Sequence, residues 1–332
     1  MVQRLVALAV AVGAAALGLS HAAKRQRLQA IQHAFTRFHE RIRHEQSGER
    51  GLLRDRREAL TARLKEVLSQ ELKPRTFDQG SYKLQTGVKP LAGEFDIDFG
   101  LVLECPRTFF NDPIEAKERV RAALLQGSRR VRIRRSCVTV EYTDKELGDY
   151  HIDIAVYVKE ANGEVFLAKG KEHSKPEYKF WEPAAPEDLT KLVDGRFSGL
   201  AVGQFRRCVR YLKRWKHVNF ETKFPYNIAL TIAAYDSFEP TLRGFLDEEP
   251  DDAQALAALT RKMLNAAEGG RLVVKLPVSP HVDLMERLAP SQMERFLERL
   301  QALNAALDVA RKTEDTEAAL QTLREQFGPE FE

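Results

Sequence analysis

Three aspartates and a Gly-Ser pair carry the chemistry of this 332-residue chain. Asp96 and Asp98 alternate with Phe95, Ile97 and Phe99, so a strand would put both carboxylates on one face. Asp153 lies in a second strand-like run, Tyr150-His151-Ile152-Asp153-Ile154. Gln79-Gly80-Ser81-Tyr82 precedes them and reads as a turn after a short strand. Carboxylates gathered this closely repel one another unless a cation sits among them, so a metal accounts for them better than a solvated edge strand does. Three aspartates holding Mg²⁺, beside a turn whose N–H groups and hydroxyl hold a triphosphate, meet the needs of two-metal phosphoryl transfer.

The elements that must position these residues read as α+β. Strands are expected over 95–103, 131–133, 138–142 and 150–158, with a helix over 113–125 capped by Asp112 and opened by Pro113. Leu28, Ile31, Phe35, Phe38 and Ile42 mark an amphipathic helix, broken at Ser47-Gly48. Leu53, Leu60, Leu64, Val67, Leu68 and Leu72 mark a second helix that stops before Pro74. Both have basic polar faces, which read as solvated surface before they read as nucleic-acid contacts. Glycines and prolines make 161–199 an irregular connection. A helical lobe follows, with stripes at Phe205, Val209, Leu212 and Trp215, an apolar helix over 228–238, and a stripe from Met293 to Leu307. The expected organisation is an apolar segment at 1–23, N-terminal helices at 24–73, a catalytic palm at 74–160, the connection at 161–199 and the lobe at 200–332.

Composition sets the outer limits. Hydrophobic content of 43% and charged content of 30% belong to a folded globular chain, and a net charge of +4 permits an anionic substrate without demanding one. Cys105, Cys137 and Cys208 are widely spaced and odd in number, with neither a zinc pattern nor a disulfide framework, which fits a reducing compartment. Leu5 to Ala23 has no Asp, Glu, Lys or Arg and as a helix spans about 28 Å, near bilayer thickness. It reads as an inner-membrane anchor, a signal peptide cleaved after Ser20-His21-Ala22, or an apolar helix packed on the body. Lys24, Arg25 and Arg27 favour a cytoplasmic body.

Gln79-Gly80-Ser81-Tyr82, Asp96-Ile97-Asp98 and His151-Ile152-Asp153 together resemble the nucleotidyltransferase core of the polymerase-β superfamily. More narrowly, the chain resembles the cGAS/DncV-like nucleotidyltransferases of bacterial anti-phage (CBASS) signalling. Tyr211-Leu212-Lys213-Arg214-Trp215-Lys216 and Phe224-Pro225-Tyr226-Asn227 resemble later family segments, so the likeness runs over about 75–310.

The resemblance implies a polymerase-β-like palm with a helical C-terminal lobe. It implies that Asp96, Asp98 and Asp153 hold two Mg²⁺ ions, with Mn²⁺ able to replace them. Gln79, Gly80 and Ser81 would cradle the triphosphate, Lys213 would reach the same phosphates, and Tyr226 and Asn227 would contact a base. A basic residue before the third aspartate would meet the acceptor nucleotide, and Arg132, Arg134 and Arg135 all qualify. The implied substrates are nucleoside triphosphates, ATP among them. The implied product is a cyclic di- or trinucleotide that diffuses to a downstream effector. His151 reads as structural, and Trp215 as core. Two other functions share these residues. An RNA-tailing enzyme would need a long basic track with aromatic platforms, and the runs 129–135 and 206–216 are short, so no specific nucleic-acid partner is expected. A silent membrane-tethered scaffold would have no reason to concentrate acid.

Overall fold

A computed structural model describes the backbone of residues 2–43, 47–91, 95–126, 129–144, 148–222, 224–243 and 249–332. Side chains are described over the same residues except 2–21, 47–50, 52, 53, 70, 95, 96, 144, 148 and 149. The chain opens with two helices, α1 (Val2–Ile42) and α2 (Ser47–Leu72). Strand β1 (Arg75–Asp78), a single helical turn α3 (Gly80–Lys83) and strand β2 (Phe95–Leu103) follow. Helix α4 (Pro113–Leu124) leads into β3 (Arg130–Ile133), β4 (Val138–Asp144), β5 (Gly148–Lys159), β6 (Val165–Lys169) and β7 (Phe180–Ala184). The remaining helices are α5 (Pro186–Asp194), α6 (Leu200–Asn219), α7 (Asn227–Ser237), α8 (Asp252–Asn265), α9 (Pro290–Lys312) and α10 (Thr316–Phe327).

Among the described residues seven strands form one sheet, in the order β1-β2-β5-β4-β3, with β6 and β7 continuing from the far end of β5. The central pair β2–β5 is parallel and the others are antiparallel. Period-2 alternation sorts the strands into two faces. Phe99, Leu101 and Leu103 of β2 join Ile152, Ile154, Val156 and Val158 of β5 in a buried cluster with Leu60, Leu64 and Leu68 of α2 and Ile114 and Val120 of α4. Helix α4 begins as its sequence dictates: Asp112 accepts from the N–H groups of Ile114 (2.7 Å) and Glu115 (3.0 Å), and Pro113 needs no partner in the first turn.

The two N-terminal helices do not pack as one unit. Ile31, Phe35, Phe38 and Ile42 of α1 are buried with α6 to α10, whereas α2 covers the sheet. Phe35 and Phe38 meet the rings of Tyr211, Phe327 and Phe331, with centroids 5.0–5.9 Å apart. Arg27 extends this attachment by donating to the carbonyls of Arg311, Lys312 and Thr313 at the end of α9.

The expected irregular connection at 161–199 is corrected. It contains β6, β7 and α5. The strands are short, and Pro183 reads as a breaker, yet among the described residues β7 pairs only with β6 and so tolerates proline at an edge. Val67, expected on the buried stripe of α2, is exposed. Leu53 lies outside the described side chains.

Among the described residues no helix is long and apolar enough to cross a membrane. The anchor expected at 5–23 falls mostly on side chains outside the described residues; its backbone is the first half of α1.

Candidate active site

The parallel register of β2 and β5 places Asp98 directly opposite Asp153, and Asp96 opposite His151. Neighbouring strands lie about 4.8 Å apart, so two carboxylates at one register position share a small space. Asp96 stands two positions before Asp98 on the same strand; its side chain lies outside the described residues. Asp98 and Asp153 are half-buried.

Each side of this pair has a support. On β4, Thr139 is in register with Asp153, and its hydroxyl donates to Asp153 Oδ1 at 2.6 Å. The Cys137 thiol bonds the same carboxylate. Cys137 Sγ lies 3.7 Å from the Thr139 hydroxyl. Burial pushes its thiol well up, and the Asp153 charge adds to that, so it stays protonated. On the other side, Gly80 lies against Asp98. A Cβ at Gly80 would sit 2.8 Å from Asp98 Oδ2, and the backbone there has φ +64°. Glycine is required twice over, by contact and by conformation. The turn is anchored at its start by the Arg57–Asp78 ion pair from α2.

Gln79 precedes the turn. Its Oε1 accepts from the Tyr157 hydroxyl at 2.9 Å. Burial raises the Tyr157 pKa, with the Asp98 charge adding, so the phenol remains a donor. Tyr157, Val102 and Ala155 continue the acidic face as a small apolar cluster with Phe77. Phe77 lies where a side chain at Gly100 would stand, only 2.1 Å from an added Cβ.

The other expected site residues occupy different positions. Ser81 accepts a bond on its carbonyl from the Thr86 N–H at 2.9 Å. Lys213 is buried, and its Nζ donates to both the carbonyl and the hydroxyl of Thr86, each at 3.0 Å. It therefore reaches the loop after the turn. Tyr226 and Asn227 begin α7 and are exposed. The Tyr226 ring lies 4.4 Å from that of Phe224, and Asn227 bonds His217. Trp215 is fully buried, as read from the sequence. Arg132 lies in the same cross-sheet row as Thr139, Asp153 and Asp98, and pairs with Glu141 at 2.9 Å. Thr139 and Thr86 carry no sequence motif. Thr139 becomes visible only once the β4–β5 register is known.

The donor set at the register pair is all oxygen. Hard divalent ions such as Mg²⁺ take such ligands. Asp153, bonded by the neutral side chains of Thr139 and Cys137, and the adjacent Asp98 fit a cation between two carboxylates better than a neutral contact. Among the described residues no group of three His, Cys, Asp or Glu side chains stands close enough to hold a metal; Asp96 lies outside that set.

A parallel strand pair with opposed aspartates, a one-turn helix packed on one of them and a helical lobe behind defines an α+β nucleotidyltransferase fold. Residues 74–157 match the family described as cyclic GMP-AMP synthase DncV-like, nucleotidyltransferase domain. The solved structures agree at the level of fold. The Bradyrhizobium diazoefficiens CD-NTase CdnG, solved with GTP, superposes with TM-score 0.73 at 18% identity, covering 91% of this chain and 96% of that one. Escherichia coli MS115-1 CdnC, solved with ATP, gives 0.65 at 17% identity, covering 90% and 98%. Vibrio cholerae DncV, a cyclic AMP-GMP synthase, gives 0.59 at 16% identity, covering 95% and 90%. No curated protein matches the chain in sequence. Residues 74–157 are thus a DncV-like nucleotidyltransferase domain, and the whole chain has the fold of the cGAS/DncV-like enzymes.

Proposed function

We propose that the chain joins nucleoside triphosphates, ATP among them, into a cyclic di- or trinucleotide with release of pyrophosphate. One observation carries the reading: Asp98 and Asp153 are opposed in parallel register, with Gly80 packed against Asp98. Asp96, Asp98 and Asp153 would hold two Mg²⁺ ions, or Mn²⁺ in their place. When bound, those ions supply the charge that acidifies an attacking hydroxyl and offsets the phosphate oxygens. The chain's own residues do the positioning. Gly80 and Ser81 present the backbone of the turn to the triphosphate, where a larger residue at 80 would stand in the way. Thr139 orients Asp153 by holding one of its oxygens. A ribose hydroxyl of one nucleotide attacks the α-phosphate of another in line, the bond to pyrophosphate breaks, and a further round closes the ring. Tyr226 and Asn227 are exposed at the start of α7 and would take the base.

The product would act on a downstream effector, in the manner of anti-phage signalling. Such a reaction draws on cytoplasmic triphosphates, with tethering through 5–23 an additional feature of the proposal. The basic run 206–216 supports this reading over RNA tailing. Arg210, Lys213, Arg214 and Lys216 are buried in the fold, where they do not form a track for a nucleic-acid backbone. The test is to incubate the chain with all four labelled triphosphates and Mg²⁺ or Mn²⁺, and to identify products by mass spectrometry. Cyclic products support the proposal. Linear tails on added RNA with no cyclic product would replace it.

A further inference from the structure

Helix α4 packs on the apolar face of the sheet, opposite the aspartates. Its Lys117 is 0% exposed. The ammonium donates to three main-chain carbonyls, those of Arg134 at 3.0 Å, Arg135 at 3.2 Å and Gly170. Three bonds use all the donors that a lysine has. Burial pushes its pKa down to about 8, so the charged form depends on those carbonyls in place of water.

Two of the three carbonyls belong to the turn between β3 and β4. The Arg134 N–H closes that turn on the Cys137 carbonyl at 2.9 Å. The Arg135 carbonyl also accepts from the Gly170 N–H at 2.9 Å, and Ser136 Oγ accepts from Lys169 Nζ at 3.1 Å. Residues 134, 135 and 136 are thus each fastened to α4 or to the end of β6. Cys137 comes next, and it lies outside the ladders: β4 starts at Val138, paired with Ile133 on one side and Ile154 on the other. Its position is therefore set by the turn. Its thiol bonds the Asp153 carboxylate, which also accepts from the Thr139 hydroxyl.

We infer that Lys117 is a positioning residue for Asp153: from the far side of the sheet it holds the β3–β4 turn, and the turn holds the Cys137 thiol against the carboxylate. Asp153 then has two neutral partners, Thr139 placed by the strand ladder and Cys137 placed by Lys117. A carboxylate held by such outer bonds is oriented before an ion reaches it. The inference rests on the reading of Asp153 as a ligand of the divalent ions.

The test uses the full chain with Lys117→Met, Cys137→Ala and the double variant. Two quantities are measured: Mn²⁺ affinity by electron paramagnetic resonance without nucleotide, and the alkylation rate of each cysteine by mass spectrometry. Cys137→Ala should weaken Mn²⁺ roughly two- to tenfold, the worth of one hydrogen bond, and Lys117→Met by a similar factor. The double variant should bind no worse than the weaker single variant, because both changes break one connection. In Lys117→Met, Cys137 should alkylate roughly tenfold faster as the turn opens locally. The buried Cys105 and Cys208 should keep their wild-type rates. All three cysteines accelerating together would mean that Lys117 only stabilises the fold, and would overturn the inference. Wild-type Mn²⁺ affinity in either single variant, or losses that multiply in the double variant, would overturn it as well. If Lys117→Met does not fold, Lys117→Gln, which keeps two N–H donors without the charge, is read against the same outcomes. Full Mn²⁺ affinity in Asp153→Asn would refute the metal reading of Asp153, and the alkylation rates would still decide whether Lys117 holds the turn.

Discussion

Asp98 and Asp153 lie at the centre of a sheet, whereas Arg210, Lys213 and Arg214 lie on a helix facing a loop. Both places concentrate like charge, and they satisfy it differently. A loop has carbonyl oxygens to spare, and the α6 cations use them. In a central strand the main-chain N–H groups belong to the ladder, so acids there depend on side chains or on a cation from outside. Thr139 supplies one such side chain. The difference teaches that a charge run is read by the element that carries it: acids on a central strand point to a ligand, and a basic helix face can be consumed by its own fold.

The strongest way to break this comparison is Asp98→Asn. It should cut synthesis by roughly 10²–10³-fold or more, the scale for removing one preorganised electrostatic contributor. Because it relieves the Asp98–Asp153 repulsion, the metal-free melting temperature should stay level or rise. Product yield and thermal unfolding measured on the same samples check this, and a large stability loss without an activity loss would reverse the assignment of the two regions. Asp153→Asn should behave alike.

Next in size is Gly80→Val. The new Cβ meets Asp98 Oδ2 at a backbone φ of +64°. Folding stability should fall by roughly 1–3 kcal/mol, the cost of forcing a strained conformation, and nucleotide affinity should fall by more, because the new side chain also stands where the triphosphate approaches the backbone. Calorimetric binding and denaturant unfolding separate the two. Affinity unchanged in a folded variant would remove the turn from the site.

Thr139→Val tests the side-chain donor. Loss of its bond to Asp153 should lower turnover roughly three- to tenfold and raise the Mg²⁺ concentration needed, with Thr139→Ser close to wild type. Mn²⁺ binding followed by electron paramagnetic resonance without nucleotide gives a second readout.

The smallest effect sharpens the basic side. Burial, aided by Arg210 and Arg207, lowers the His39 pKa to about 3, and burial with Lys216 and Arg214 lowers that of His217 to about 4. The unfolded chain binds protons below pH 6.5 that the folded chain refuses, so stability is present above that pH and is lost as pH falls toward the folded values. Each histidine should cost about 1 kcal/mol between pH 6.5 and 5.5, allowing for partial exposure. Thermal unfolding across that range should flatten in His39→Gln. An unchanged slope would mean that His39 does not carry it.

The sheet was legible because its signal is periodic. Phe95 to Leu103 alternates cleanly, and both the strand and its acidic face followed from that pattern. Asp112-Pro113 announced α4 through capping chemistry alone. What escaped was set by pairing across distance. Strands β6 and β7 are too short for their alternation to outweigh Gly170 and Pro183, and only the partner strand makes Phe180–Ala184 extended. The separation of α1 from α2 depends on which apolar face each meets, and both faces look alike in sequence. Lys213 was found as a residue of interest, but its contact with Thr86 spans 127 positions and leaves no local trace.

The register of β2 against β5 has a consequence for insertions and deletions. A slip of one position would turn Asp98 and Asp153 into the layer that holds Leu64 and Val120, and would bring Phe99 and Ile154 out to water. Core and chemistry are thus coded by the same parity. A single-residue insertion or deletion within either strand damages both together, leaving little room for a well-packed but inactive relative one residue out of step. Length variation along a lineage of such chains should accumulate instead at the ends of the strands, where parity is not counted.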